Sequence, residues 1–279
     1  MENKKDKKWY LQLEVLAIVF AVLSLVFLIL ALPYVPSIFE KEMADYINNV
    51  LVGLATGFIG MLITITYVQN ALEEQSKKNE KIEEYKKIVR YSKYAKILIS
   101  KYIQFFNFLV TYEEEAFNQD DKFVESFELV DLKNIYNDVY IITEPPFTPA
   151  IFCFYSIEKE LFDYLLCMNQ EIDFKYSSDL YEVLYNYFNE SKTYDSRNSI
   201  IGWYNNSKYR PLADKMIEMV QKYPDRDFEK EFDNNDELLK SNTVIPLIML
   251  YKFLKYQKEG IERYLQEVGR IENELNELI

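Results

Sequence analysis

The chain reads as an all-α protein: a two-helix transmembrane hairpin followed by a cytoplasmic helical bundle with long first and last helices. Three observations carry this reading. Two uncharged apolar runs, Val15 to Leu32 ("VLAIVFAVLSLVFLILAL") and Val50 to Val68 ("VLVGLATGFIGMLITITYV"), are 18 and 19 residues long. Each is near the ~20 residues that cross a bilayer as a helix. Downstream, apolar residues recur at three- and four-residue steps between charges, the period of an amphipathic helix. No segment of useful length alternates apolar and polar as a half-buried strand does.

Residues 1–14 form a cytoplasmic N-terminal tail, 15–68 the hairpin (spans 15–32 and 50–68, outer loop 33–49), and 69–279 the cytoplasmic domain. Trp9 and Tyr10 at one edge of the first span, and Tyr67 near one end of the second, fit interfacial aromatic belts. Glu14 reads as a carboxylate reaching the headgroups, with a charge inside a pore as the alternative. The run to Leu32 is longer than a signal-peptide core, and no small-x-small cleavage site closes it before Pro33. Lys4, Lys5, Lys7 and Lys8 precede the first span; Lys77, Lys78, Lys81, Lys86, Lys87 and Arg90 follow the second; the loop holds only Lys41. The positive-inside rule then puts both termini in the cytoplasm, at the inner membrane of a bacterium. Pro33 and Pro36 end the first helix, and the rest of the loop is read as one amphipathic turn.

The domain opens with a helix from Gln69 to about Phe117, with no Gly or Pro to interrupt it. Further helices are expected at Glu128–Ile142, at Ala150–Gln170 with Thr148 as N-cap and Pro149 at the first helical position, and from Asp179, whose Asp-x-x-Glu with Glu182 reads as a capping box. "NESKTYDSRNS" is read as a loop. Helical pieces follow near Ile200 and from Pro211 to Lys222, stopped by Pro224. Thr243 opens the last helix, with Pro246 in its first turn, running to about Leu278.

Composition limits the chemistry. The charge is −13, from 45 acids against 32 bases, so a whole-chain nucleic-acid binder is not expected, because phosphate contacts need clustered positive charge. Histidine is absent, which removes Ser-His-Asp and Cys-His catalysis and His-containing metal sites. Cys153 and Cys167 fall on one predicted helix about 21 Å apart, beyond disulfide reach; buried free thiols in a reducing compartment are expected. Lysine outnumbers arginine 26 to 6, the balance of an AT-rich bacterial, phage or plasmid genome. No G-x-G-x-x-G, G-x-x-x-x-G-K or G-x-S-x-G occurs, and "GWYNNSK" at Gly202 has the wrong spacing for a phosphate loop. No catalytic, cofactor-binding or metal-binding residue is assigned. An enzyme using only carboxylates, tyrosine and lysine stays open.

The acids Asp225, Asp227, Glu229, Glu231, Asp233 and Asp236 read as a solvated face, with an oxygen-ligated cation as the alternative. Lys77 to Lys87 alternate with Glu80, Glu83 and Glu84, a pattern for topology and i,i+4 pairing, with attraction to anionic lipid as the alternative. The tyrosines of "YEVLYNYFNE" read as core and rim, or as a groove for a partner.

Three of six glycines fall in "VGLATGFIG". Gly53, Gly57, Gly60 and Thr64, at steps of four, three and four, make one smooth stripe; Ala17, Ala21 and Ser24 repeat it on the first span. In lipid, close approach at small residues drives helices together. The stripes either close one hairpin or join several copies.

This layout, with the run N-x-x-x-G-L-A-T-G-F-I-G from Asn49 to Gly60, resembles small bacterial two-span proteins with cytosolic helical domains. Some of these act as membrane effectors in anti-phage or abortive-infection systems. The resemblance covers the hairpin and, beyond it, only composition; it assigns no functional residue. The glycine stripe, a helix able to continue unbroken out of the second span and the missing catalytic residues point to a non-enzymatic effector whose domain senses a partner or ligand and whose spans oligomerise to perturb the membrane. A membrane-tethered adaptor for a cytosolic protein is the alternative.

Overall fold

Helix is the regular structure throughout the residues that the computed structural model describes, 3–31, 41–113, 122–139, 148–206, 210–223, 226–234 and 244–279. A single bridge, Asp138 to Pro149, is the extended pairing among them. The chain divides into two compact units, Met1–Glu80 and Lys81–Ile279.

The first unit holds α1 (Asn3–Leu30) and the start of α2 (Lys41–Thr111). Residues 41–49, expected in the outer loop, are already helical; no Gly or Pro opposes helix there. Among the described residues one helix, α2, is long and apolar enough to cross a membrane, and 6% of its most apolar stretch is buried. The apolar helical stretch of α1, Val15–Leu30, is shorter, and Leu32 and Pro33 to Glu40 lie outside the described residues. The two helices pack through Phe58, whose ring sits 5.6 Å from both Phe20 and Phe27, and through the Ser24 hydroxyl, which donates to the Ala55 carbonyl at 3.4 Å. Elsewhere the apolar residues of both helices face outward, Val15, Ile18, Leu25, Val52 and Ile63 among them.

The second unit is built on two long seams. On α2, the buried positions Tyr85, Ile88, Ser92, Ala95, Ile99, Tyr102, Phe106 and Leu109 alternate by three and four. On α8 (Ile245–Leu278), Leu247, Leu250, Leu254, Gln257, Ile261, Tyr264, Val268, Ile271 and Leu275 do the same. That 3.5-residue repeat keeps one face of a long helix against its neighbours. Lys81 and Lys96 of α2 reach Glu274 and Glu272 of α8 at 3.1 and 2.7 Å. Between them lie α3 (Ala150–Glu171), α4 (Ser178–Thr193), α5 (Arg197–Asn205), α6 (Arg210–Lys222) and α7 (Phe228–Asp233). Along α8, α4 approaches most closely: a Cβ at Gly260 would meet Tyr187 Cδ2 at 3.3 Å.

Several boundaries differ from expectation, each for a local reason. At the end of α2, Tyr112 takes φ 56° and its N–H bonds the Phe108 carbonyl, so the helix stops at Thr111 and not near Phe117; a left-handed residue just past a helix end closes it. Of the helix expected over 128–142, the described residues 128–139 hold a short 3-10 helix, Leu129–Asn134, and 140–142 lie outside the described residues. The Asn137 amide bonds the Asn134 side chain, the local competition that favours turns over helix. Thr148 does not cap α3; Pro149 holds that position, and the first free N–H groups, of Ala150 and Ile151, donate to the carbonyls of Asn137 and Ile135. Asp179 does not cap α4: Ser177 is the N-cap residue, and Asp179 pairs with Arg270. "NESKTYDSRNS" is mostly helix, since α4 runs to Thr193 and α5 starts at Arg197. Thr243 lies outside the described residues, and Val244 caps α8 with Pro246 in its first turn. Cys153 is buried, but Cys167 is exposed; a face drifts about 40° over two heptads of straight helix, which carries position 167 off the buried stripe.

Candidate functional site

The α1 contact and the glycine stripe occupy opposite faces of α2. In the first unit the least exposed α2 positions include Leu51, Ala55, Phe58, Leu62 and Ile65. At 100° per residue, Gly53, Gly57, Gly60 and Thr64 point roughly 150° away from them. All four are exposed, and a Cβ at any of the three glycines meets nothing within 4 Å. The glycines therefore do not close the α1–α2 contact; the small residues that do are Ala55 and Ser24, both buried. Ala17 is half-buried and Ala21 exposed, so the α1 stripe is used only in part. The hydroxyls of Thr56, Thr64 and Thr66 bond carbonyls of their own helix one turn back, at 2.9–3.0 Å. That satisfies these three hydroxyls on an apolar surface, as a lipid-facing helix requires.

Of the expected interfacial residues, Tyr67 is exposed. Lys77 pairs with Glu73 at 2.8 Å and Lys78 is exposed. The side chains of Trp9 and Tyr10 lie outside the described residues.

In the second unit, four helices bring polar groups together in the core. Glu158 of α3 meets Arg197 of α5 at 2.5 Å. The Gln257 amide of α8 donates to Glu158 Oε1 at 3.2 Å and to the Ser191 hydroxyl of α4 at 2.7 Å. Tyr187 donates to Gln257 Oε1 at 3.4 Å. Arg197 also lies over the Tyr155 ring at 4.8 Å. The Tyr102 hydroxyl is buried without a hydrogen-bond partner. Burial raises the Glu158 carboxyl above the usual range, and the opposing effect of Arg197 is smaller. Burial likewise pushes the phenols of Tyr102 and Tyr187 well up, so they stay neutral donors. Sequence reasoning missed this junction. Its signal was Gln257, the one amide in the apolar seam of α8; a lone polar residue in such a seam specifies register.

A second cluster surrounds Lys252, a buried lysine of α8. Its Nζ lies 2.8 Å from Asp233 and 3.5 Å from Glu229, and 5.7–5.9 Å from the rings of Tyr194, Phe232 and Tyr256. Glu229 also holds Lys255 at 3.0 Å, and Glu231 holds Arg226 at 2.7 Å. Asp227 caps α7 by accepting from the Lys230 N–H. The acidic run is thus a solvated face only in part: Asp227 and Asp233 are exposed, while Glu229, Glu231 and Asp233 also pair with the bases around them; Asp225 and Asp236 lie outside the described residues. Among the described residues no group of three His, Cys, Asp or Glu is placed to hold a metal ion.

Beside this cluster, the 3-10 helix, α6, α7 and α8 line a half-open cavity of about 410 Å³. Leu129, Val130, Val220, Phe228, Ile248 and Tyr251 form its apolar walls, and Glu128, Asp227 and Glu229 bring carboxylates to it.

No protein-family model, curated protein or solved structure matches the chain.

Proposed function

We propose that the protein is a non-enzymatic membrane effector of the kind found in bacterial anti-phage systems. Both α1 and the first part of α2 cross the inner membrane, with both termini in the cytoplasm. The helical domain senses a ligand or a cytosolic partner, and the spans self-associate to perturb the bilayer. The observation that carries this reading is the glycine face of α2, smooth, exposed and opposite the α1 contact. Among the described residues nothing lies within 4 Å of a Cβ built at Gly53, Gly57 or Gly60, and in lipid close helix approach favours small residues. A short apolar stretch such as Val15–Leu30 also thins the bilayer or favours oligomers to relieve mismatch.

The test is the oligomeric state in detergent of wild type and Gly57→Leu, with membrane potential followed during expression. Loss of assembly and of depolarisation in the variant is expected. Unchanged assembly and stability would remove the glycine face from the mechanism. Unchanged potential in the wild type under triggering stress would remove the effector role.

The second reading is a tethered adaptor that docks a cytosolic protein at the inner face. The compact unit Lys81–Ile279 favours it. For an adaptor, exchange of residues 15–68 for an unrelated hairpin leaves function intact; for the effector, the exchange abolishes it.

A further inference from the structure

We propose that the cavity between the 3-10 helix, α6, α7 and α8 binds a small organic cation with an apolar or aromatic body. This deepens the reading above, on which it rests, by naming the ligand class that the domain senses. The cavity, of about 410 Å³, lies within the ~300–1,000 Å³ range of small-molecule sites. Its walls supply what such a cation needs. Phe228, Tyr251 and Tyr223 line it with three aromatic rings; Arg226 and Lys222 already lie 4.9 and 5.6 Å from the ring centres of Phe228 and Tyr223, as cations do at ring faces. Val220 and Ile248 give apolar contact for the body.

Charge selects the sign of the ligand. Three carboxylates line the cavity, from Glu128, Asp227 and Glu229, against one cation, Arg226. The Arg226 guanidinium is committed elsewhere: its Nε donates to both oxygens of Glu231 at 2.8 Å, and it lies 4.9 Å from the Phe228 ring centre. Set off pair by pair, Arg226 with Glu231, Lys252 with Asp233 and Lys255 with Glu229 cancel, and of the three carboxylates Glu128 and Asp227 are left at the wall. The Tyr251 phenol registers this field. Burial raises it most; Glu229, Glu128 and Asp131 raise it further, and Lys255 opposes them. An anionic ligand would enter against that potential; a cation enters along it.

The experiment uses the full chain in detergent and three matched probes: phenethylammonium, 2-phenylethanol and phenylacetate. Binding is read by calorimetry and by the shift in melting temperature. Phenethylammonium is expected to bind about tenfold tighter than the neutral alcohol, the size of one cation–π contact, and phenylacetate more weakly still. Tyr223→Ala removes an aromatic wall from an exposed position, so the fold survives, and it should weaken the cation severalfold while leaving the alcohol little changed. Val220→Trp fills the cavity and should abolish binding of all probes. Equal binding of the three probes, preference for the anion, absence of binding, or indifference to Tyr223→Ala would each overturn the site. If the cation binds but Gly57→Leu leaves membrane depolarisation unchanged, the site stands and the effector mechanism falls. If Gly57 controls depolarisation but no cation binds, the reverse holds.

Discussion

Glu158 and Arg197 meet at 2.5 Å, the carboxylate 2% exposed and the guanidinium 26%. The pair is lopsided: one partner gives up nearly all its water and the other keeps a share. That asymmetry is why burial raises the Glu158 carboxyl despite the adjacent positive charge. The folded state then holds the Glu158 proton more tightly than the unfolded chain does. The resulting contribution to stability is complete below the ordinary carboxylate range and is lost as pH rises through the raised value. At neutral pH the charged Glu158 is a cost that Arg197 offsets.

Arg197→Met should therefore destabilise by about 3 kcal/mol at pH 7, the usual penalty for stranding a buried charge. The loss should shrink as pH falls toward 5 and Glu158 takes up a proton. Urea melts at both pH values measure it; a pH-independent loss would mean that packing, not the charge, was removed.

Glu274 carries the opposite sign. Hydrogen bonds from Lys81 first, then from Tyr85, hold its carboxyl below the usual range. This contribution is present above the unfolded value and lost as pH falls through the lowered one. Glu274→Gln should cost roughly 1 kcal/mol or less near neutrality, as for other partly exposed pairs. Wild type and variant should converge in acid, and thermal melts across pH 3 to 7 would show whether they do.

Two glycines of α8 separate propensity from packing. A Cβ at Gly269 meets nothing within 4 Å, whereas one at Gly260 meets Tyr187 at 3.3 Å. Gly269→Ala should stabilise by up to about 1 kcal/mol. Gly260→Ala should gain less or lose, because Tyr187 is buried and tied to Gln257. Equal gains in denaturant melts would show that Tyr187 yields freely.

Ala55 and Gly57 test the two faces of α2. Ala55→Leu crowds the contact with Ser24 and should cost about 1–3 kcal/mol of unit stability. Gly57→Leu should leave that stability unchanged while altering assembly. Thermal unfolding in detergent, paired with sedimentation, distinguishes them; matching defects in both variants would mean that one face serves both contacts.

The helical class was legible because apolar spacing reports directly on which face of a helix is buried. The seam of α2 could be read from Tyr85, Ile99, Tyr102, Phe106 and Leu109, and the length of the last helix from its unbroken run to Leu278. Helix starts were less legible. Ser177 spends its hydroxyl on Glu84, at 2.5 Å, and the first N–H groups of α3 find carbonyls from residues 135 and 137; capping statistics see neither, since both depend on distant chain. The acidic run misled in part for the same reason: its lysine partners, Lys252 and Lys255, sit 19 or more residues away. The glycine stripe was visible, but its direction was not, because only the position of α1 tells which side of α2 is taken.

Lys252 also has a consequence for reactivity. The residue is 1% exposed; burial works against its charge, but Asp233, Tyr256 and Glu229 together outweigh it and raise the amine, so it has neither the free lone pair nor the access that acylating reagents need. Labelling at Lys252, measured by mass spectrometry against the exposed Lys93 as an internal standard, becomes a clock for the detachment of α7. Because Glu229 belongs both to that clasp and to the cavity wall, a bound ligand should slow the clock.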